Sequence, residues 1–127
     1  MTISSFGLSA VGQISVNAHD LARAEAFYRD VLGVQHLFTV PKMAFFECGG
    51  LRLMVALPER PEFDHPSSVI YFRVDDIGKA HDALVGRGIR FEAPPHLIAR
   101  LDAREIWMAF FHDSEGNLLA LMSEIDI

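Results

Sequence analysis

A single cysteine, Cys48, stands among the 127 residues, so no internal disulfide is possible. Positive charge is also scarce: 11 Lys and Arg against 17 Asp and Glu leave a net charge of -6. With no basic run anywhere, that balance argues against a nucleic-acid partner. No apolar stretch approaches the length needed to span a bilayer, which argues against a membrane role. There is no low-complexity segment. Met1 to Ala10 lack the basic start and apolar core of a signal peptide, so a cytoplasmic protein is expected. What is abundant is apolar surface. Half of the residues are hydrophobic, ample for the core of one domain spanning residues 1–127.

Those apolar residues follow a pattern that occurs twice. A strand from Gln13 to Ala18 precedes Asp20 and a helix that ends at Gly33; the second copy runs from Val69 through Asp76 to Gly88. Each Asp suits a helix N-cap, because its carboxylate accepts the unpaired amides of the first turn and meets the positive helix end. Leu21, Ala24, Phe27, Tyr28 and Val31 recur at helical spacing, as do Ile77, Ala80, Ala83 and Leu84. Gly33 and Gly88 close the two helices, where a left-handed residue is wanted. A hairpin follows each helix, turning at Gly49-Gly50 and, one residue longer, around Gly116. The same signals in the same order point to an internal duplication.

In chain order, residues 1–9 read as a loose lead-in. The first unit, residues 10–57, continues with strands at Gln35 to Val40, Met43 to Cys48 and Leu51 to Leu57. The prolines and charges of Pro58 to Pro66 mark a linker. The second unit, residues 67–124, has a short strand near Ile89 to Glu92, a break at Pro94-Pro95, and a segment from Ile98 to Leu101. Glu105 to His112 and Asn117 to Glu124 form its last hairpin. The fold class is therefore α+β, with two βαβββ modules at residues 10–57 and 67–124.

Two stretches carry a family resemblance: Asp20-Leu21-Ala22-Arg23-Ala24-Glu25-Ala26-Phe27-Tyr28-Arg29-Asp30-Val31-Leu32-Gly33, and Phe111-His112-Asp113-Ser114-Glu115-Gly116-Asn117-Leu118-Leu119-Ala120-Leu121. The first resembles the opening helix of the vicinal oxygen chelate superfamily, with its Phe-Tyr and Leu-Gly. The second resembles that family's Asp-Pro-Asp-Gly-Asn hairpin, with Ser114 for the proline and Glu115 for the second Asp. The family includes glyoxalase I, bleomycin-resistance proteins and extradiol dioxygenases. The resemblance implies that the two modules form a curved mixed sheet around a cup; it is specific for that fold, and a fold by itself licenses no reaction.

Metal-dependent members of that family place ligands on the concave sheet face at three or four positions. The resemblance puts these at Gln13, Met54, Val69 and Ala120. Only Gln13 offers an oxygen donor, whereas a catalytic zinc or iron site needs about three His, Cys or carboxylate ligands. No metal and no cofactor is expected. His65, His96, His112 and Glu47 show no ligand-pair spacing, and each histidine suits a surface or structural role. Cys48 has no basic neighbour to lower its pKa and reads as a small filler.

Strand alternation selects the residues that share the concave face. These are Gln13 and Ser15, then Val69, Tyr71 and Arg73, with Met54 opposite Phe45 and Arg52 opposite Glu47. In the second hairpin, Ala120 is expected opposite Ala109, Met122 opposite Trp107 and Leu118 opposite Phe111. The predicted ligand-binding set is Gln13, Ser15, Phe45, Met54, Val69, Tyr71, Arg73, Trp107, Ala120 and Met122. Taken singly, Trp107, Phe45 and Met54 suit packing in a core or a dimer contact better than ligand contact; the interleaved polar residues shift the reading of the face toward a pocket. His96 and Arg100 are placed in a solvated loop in preference to a lid over the cup.

The sequence thus reads as a metal-free protein of the bleomycin-resistance kind. It holds a small aromatic or amphipathic molecule, and the acidic balance suits a cationic one. The alternative is a lyase, isomerase or oxygenase with a metal-free or unusual site, using Tyr71, His96 or Glu47 as acid or base. A homodimer is expected, with contacts through sheet edges and Leu8, Phe63 and Ile98.

Overall fold

The computed structural model describes residues 6–127; the first five residues of the expected lead-in lie outside the described residues. The elements run β1 (Gln13–Asn17), α1 (Leu21–Ala26), β2 (Gln35–Val40), β3 (Met43–Cys48), β4 (Leu51–Ala56), β5 (Ile70–Arg73), α2 (Ile77–Gly86), β6 (His96–Leu101), β7 (Arg104–His112) and β8 (Leu118–Asp126). They form two mixed four-stranded sheets of the same plan, β1-β4-β3-β2 and β5-β8-β7-β6. In each, the first strand runs parallel to the fourth and the other pairs are antiparallel.

Local chemistry explains why the two copies resemble one another. Asp20 accepts from the Arg23 amide and Asp76 from the Lys79 amide, each at 3.0 Å, so both helices open on an Asp cap. The copies differ in length, with 14 residues from Asp20 to Gly33 and 13 from Asp76 to Gly88. The first absorbs its extra residue as a π-helical turn over Phe27–Val31, where the Leu32 amide reaches back five residues to the Phe27 carbonyl at 3.0 Å. Gly33 and Gly88 then adopt left-handed φ values of 73° and 96°, which side chains disfavour.

Three expectations differ from the structure. The short strand near Ile89 to Glu92 is absent; Phe91 makes only an isolated bridge to Phe111. His96 and Arg100, expected in a loop, belong to edge strand β6, which starts two residues before Ile98 and bulges between Leu97 and Ala99. The third difference is register. The first hairpin pairs Phe45 with Met54 and Glu47 with Arg52, as expected. The second pairs Phe110 with Ala120, Met108 with Met122 and His112 with Leu118. Its turn is centred on Glu115. The Asp113 amide bonds the Asn117 carbonyl at 2.9 Å, and the Asp113 carboxylate accepts from the amides of Glu115 and Asn117. A turn closed this way moves every β7 partner by one position, and a shift of one exchanges sheet faces.

Both helices lie in one shared core. Val16, Tyr28, Phe46 and Val55 of the first half pack in the same cluster as Ile77, Leu84, Phe111 and Leu119 of the second. No strand of one sheet hydrogen-bonds to a strand of the other among the described residues. The halves are joined on the helix side, and this leaves the opposite face of each sheet open.

Candidate functional site

The first open face carries Gln13 and Ser15 from β1, Phe45 and Glu47 from β3, and Arg52 and Met54 from β4, placed by the pairings of β1 and β3 with β4. Phe45 stacks on Phe38 of the edge strand, with ring centroids 4.7 Å apart, and the Arg52 guanidinium lies 5.7 Å from the Phe45 ring. The Gln13 amide nitrogen lies 3.7 Å from the Met54 sulfur. Toward the strand ends this face deepens into a cleft of about 380 Å³, floored by Ser15, Asn17, Met43, Met54 and Ala56. Its second wall is the connecting segment, through Glu59, Phe63, His65 and Ser67.

That segment, expected as a plain linker, is fastened to the end of β1. Asp64 accepts from the Asn17 side chain at 2.9 Å and lies 2.7 Å from the His19 ring nitrogen. Hydrogen bonds from His19 and Asn17 hold the Asp64 carboxyl below its ordinary range. The Asn17 amide donates to the Ser67 hydroxyl at 2.9 Å. Asn17, Met43 and Ala56 were missed in the sequence although strand alternation extends to them from Ser15 and Met54. The wall was missed because its one signal was an apolar Phe63 among charges.

The second open face holds Tyr71 and Arg73 from β5 and Ala120 and Met122 from β8, paired as Tyr71 with Ala120 and Arg73 with Met122. The Tyr71 ring meets Phe110 edge-on at 6.0 Å. Val69 lies one residue before β5, half-buried. Trp107 is the predicted site residue that falls elsewhere. It pairs with Ser123 and packs against the shared core, and Met108 takes its expected place beside Met122. The predicted set is thus divided: Gln13, Ser15, Phe45 and Met54 share one open face, while Tyr71, Arg73, Ala120 and Met122 share the other.

Polar groups lock the halves together beneath these faces. The buried Tyr28 hydroxyl donates to Asp113 at 2.6 Å. Burial, and then the Asp113 charge, push the phenol pKa well above its ordinary value. Glu115 accepts from Arg23 Nε at 2.7 Å and from the amides of His19 and Asp20. Burial alone would raise its carboxyl pKa, but the hydrogen bonds from Arg23 and the two amides outweigh that and hold it down to about 2. Asn117 donates to the Asn17 carbonyl at 2.8 Å.

The metal positions implied by the fold carry Gln13, Met54, Val69 and Ala120, one oxygen donor among four residues. Among the described residues no group of three or more His, Cys, Asp or Glu is placed to hold a metal ion. This donor set does not fit a zinc or iron centre. Glu47 accepts from the Gly50 amide at 2.6 Å and braces its turn. His96 lies 3.1 Å from the Pro94 carbonyl oxygen, and Arg100 pairs with Glu105 at 2.6 Å. Burial raises the Cys48 thiol pKa, which keeps it protonated.

Two βαβββ units, a shared helix-side core and open sheet faces define a duplicated sheet protein. The chain belongs to the Glyoxalase/Bleomycin resistance protein/Dioxygenase superfamily, whose sequence model matches residues 10–121. Its fold is similar to the crystal structure of lactoylglutathione lyase from Agrobacterium tumefaciens, at TM-score 0.71 and 24% identity over 91% of this chain and 93% of that one. It is also similar to a glyoxalase/bleomycin resistance protein/dioxygenase from Alicyclobacillus acidocaldarius, at TM-score 0.73 and 22% identity over 92% of each chain. A superfamily member from Sphaerobacter thermophilus gives TM-score 0.76 and 21% identity over 91% and 98%. No curated protein sequence matches the chain. No described helix is long and apolar enough to cross a membrane.

Proposed function

We propose that this chain is a metal-free binder of a small aromatic or amphipathic molecule, in the manner of the bleomycin-resistance branch of its superfamily, and that it works as a cytoplasmic homodimer. The observation that carries the reading is the cleft on the first open face. Its floor is apolar at Met43, Met54 and Ala56, and its polar points are Ser15, Asn17 and Ser67. A volume of about 380 Å³ falls within the range of ligand pockets, roughly 300–1,000 Å³. Glu59 on the wall and the net charge of -6 favour a cationic or neutral ligand.

The division of the predicted set supports the dimer. Tyr71 and Phe110 stand on the second open face, outside the cleft of their own chain. A second copy presenting that face to the first would complete an aromatic lining. Thioflavin T, a cationic aromatic dye, tests the binding half of the proposal. One dye per chain is expected to bind saturably, and Ser15→Trp, which fills the cleft floor, is expected to abolish binding. Elemental analysis tests the metal half. One equivalent of bound metal, lost on Gln13→Ala, overturns the reading.

A further inference from the structure

The duplication exposes a second cavity, on the helix side of the second sheet. Counted from the capping Asp, α1 and its π-helical turn carry Ala24, Phe27 and Tyr28 where α2 carries Ala80, Ala83 and Leu84. In the first half the two aromatic rings meet edge-on at 5.6 Å, and Tyr28 is fully buried. In the second half the smaller side chains leave about 320 Å³ between the helix and the sheet. Leu32 and Val34 of the first half, Phe72 and Leu121 of the second sheet, and Ala83 and Leu84 of α2 form its walls. An engineered apolar cavity of about 150 Å³ is enough to take up benzene. This one is about twice that size and opens to solvent.

Its charge has one sign. Arg73 and Arg87 are the charged residues of the lining, and no carboxylate lines it among the described residues, although the chain is acidic overall. Arg87 is held in place by Nη1, which donates to the Val31 carbonyl at 2.8 Å at the end of the first helix. Its Nε and Nη2 hydrogens have no partner among the described residues. A guanidinium presents a planar fork of donors that suits a carboxylate. Arg73 also borders the cavity, but its guanidinium pairs with Glu124 at 3.4 Å on the open side of the sheet, which leaves Arg87 as the anchor.

We propose that this cavity is a binding site for a small organic carboxylate. Its aryl or short branched alkyl group occupies the space that Phe27 fills in the other half, and its carboxylate sits on the free edge of Arg87. This inference goes beyond the proposed function and does not depend on it, because the cavity and the cleft of the first open face share no residue.

The test is calorimetric titration of the full-length protein with 4-phenylbutanoate and with 4-phenylbutan-1-ol, which differ in the anionic head. Saturable binding is expected, at least tenfold tighter for the carboxylate. Arg87→Gln should remove that preference while leaving the alcohol's affinity unchanged. Ala83→Phe, which restores the ring found in the first half, should abolish binding of both without lowering the melting temperature. Ser15→Trp should change neither. The proposal is overturned by no saturable binding of the carboxylate, by equal affinities for the two compounds, or by binding that survives both Arg87→Gln and Ala83→Phe.

Discussion

Single residues at the seam between the halves do more than those on the open faces to decide whether the chain stays folded. Glu115 is the strongest case. Its side chain is inaccessible to solvent, yet it is charged, and three donors from the first half compensate the burial. With its folded pKa near 2, below an ordinary 4.5, its contribution to stability is present above about pH 4.5. That contribution is lost as pH falls through the interval toward 2, because the unfolded chain takes up the proton first. Glu115→Gln leaves Arg23 without its partner and should cost roughly 2–4 kcal/mol at pH 7. Urea melts at pH 7, 4.5 and 3 check this: the wild type should lose stability below pH 4.5, and the variant should lose distinctly less. An equal acid slope in both proteins would remove Glu115 from this role.

At the scale of elements, the helices and the first sheet were legible, because each signal was local. Asp20 and Asp76 cap where a short carboxylate should, Gly33 and Gly88 stop the helices, and Gly49-Gly50 centres a tight hairpin whose register follows from counting. The second hairpin was legible in existence and not in register. Its turn depends on the Asp113 carboxylate folding back on the amides of Glu115 and Asn117, and that local turn chemistry does not show in an alternation pattern. The one-residue error carried Trp107 to the wrong face and hid Met108 and Phe110. β6 was blurred for a similar reason: it follows Pro94-Pro95, and its bulge between Leu97 and Ala99 breaks the period of two. The corrected register predicts cross-linking in a Cys48→Ser background. Met108→Cys with Met122→Cys places two thiols on directly opposed residues of one face and should form a disulfide under mild oxidation. Trp107→Cys with Met122→Cys puts them on opposite faces and should stay reduced. Intact-mass measurement after alkylation separates the two outcomes.

For the whole molecule, the decisive fact is where the halves meet. Tyr28 with Asp113, Arg23 with Glu115 and Arg87 with the Val31 carbonyl all join them on the helix side, so the shared core is made and the open faces are not closed over one another. Exposed apolar side chains remain at the edges, Phe38 at 46% and Leu97 at 41%, and on the second open face, Tyr71 at 44%. In the proposed dimer each site takes the first open face of one copy and the second open face of the other, an isologous arrangement with two equivalent sites. Two blocked variants distinguish this from a site within one chain. Ser15→Trp fills the first face and Met122→Trp the second, so each homodimer should bind no thioflavin T. Mixed and allowed to exchange, half of the dimers become heterodimers, in which one site combines both blocked faces and the other combines both intact ones. Dye capacity should therefore recover to about one quarter of the wild-type value. Sedimentation equilibrium at micromolar concentration should give twice the mass of one chain for all three proteins. A single-chain mass, or no recovery on mixing two folded variants, would overturn the shared site.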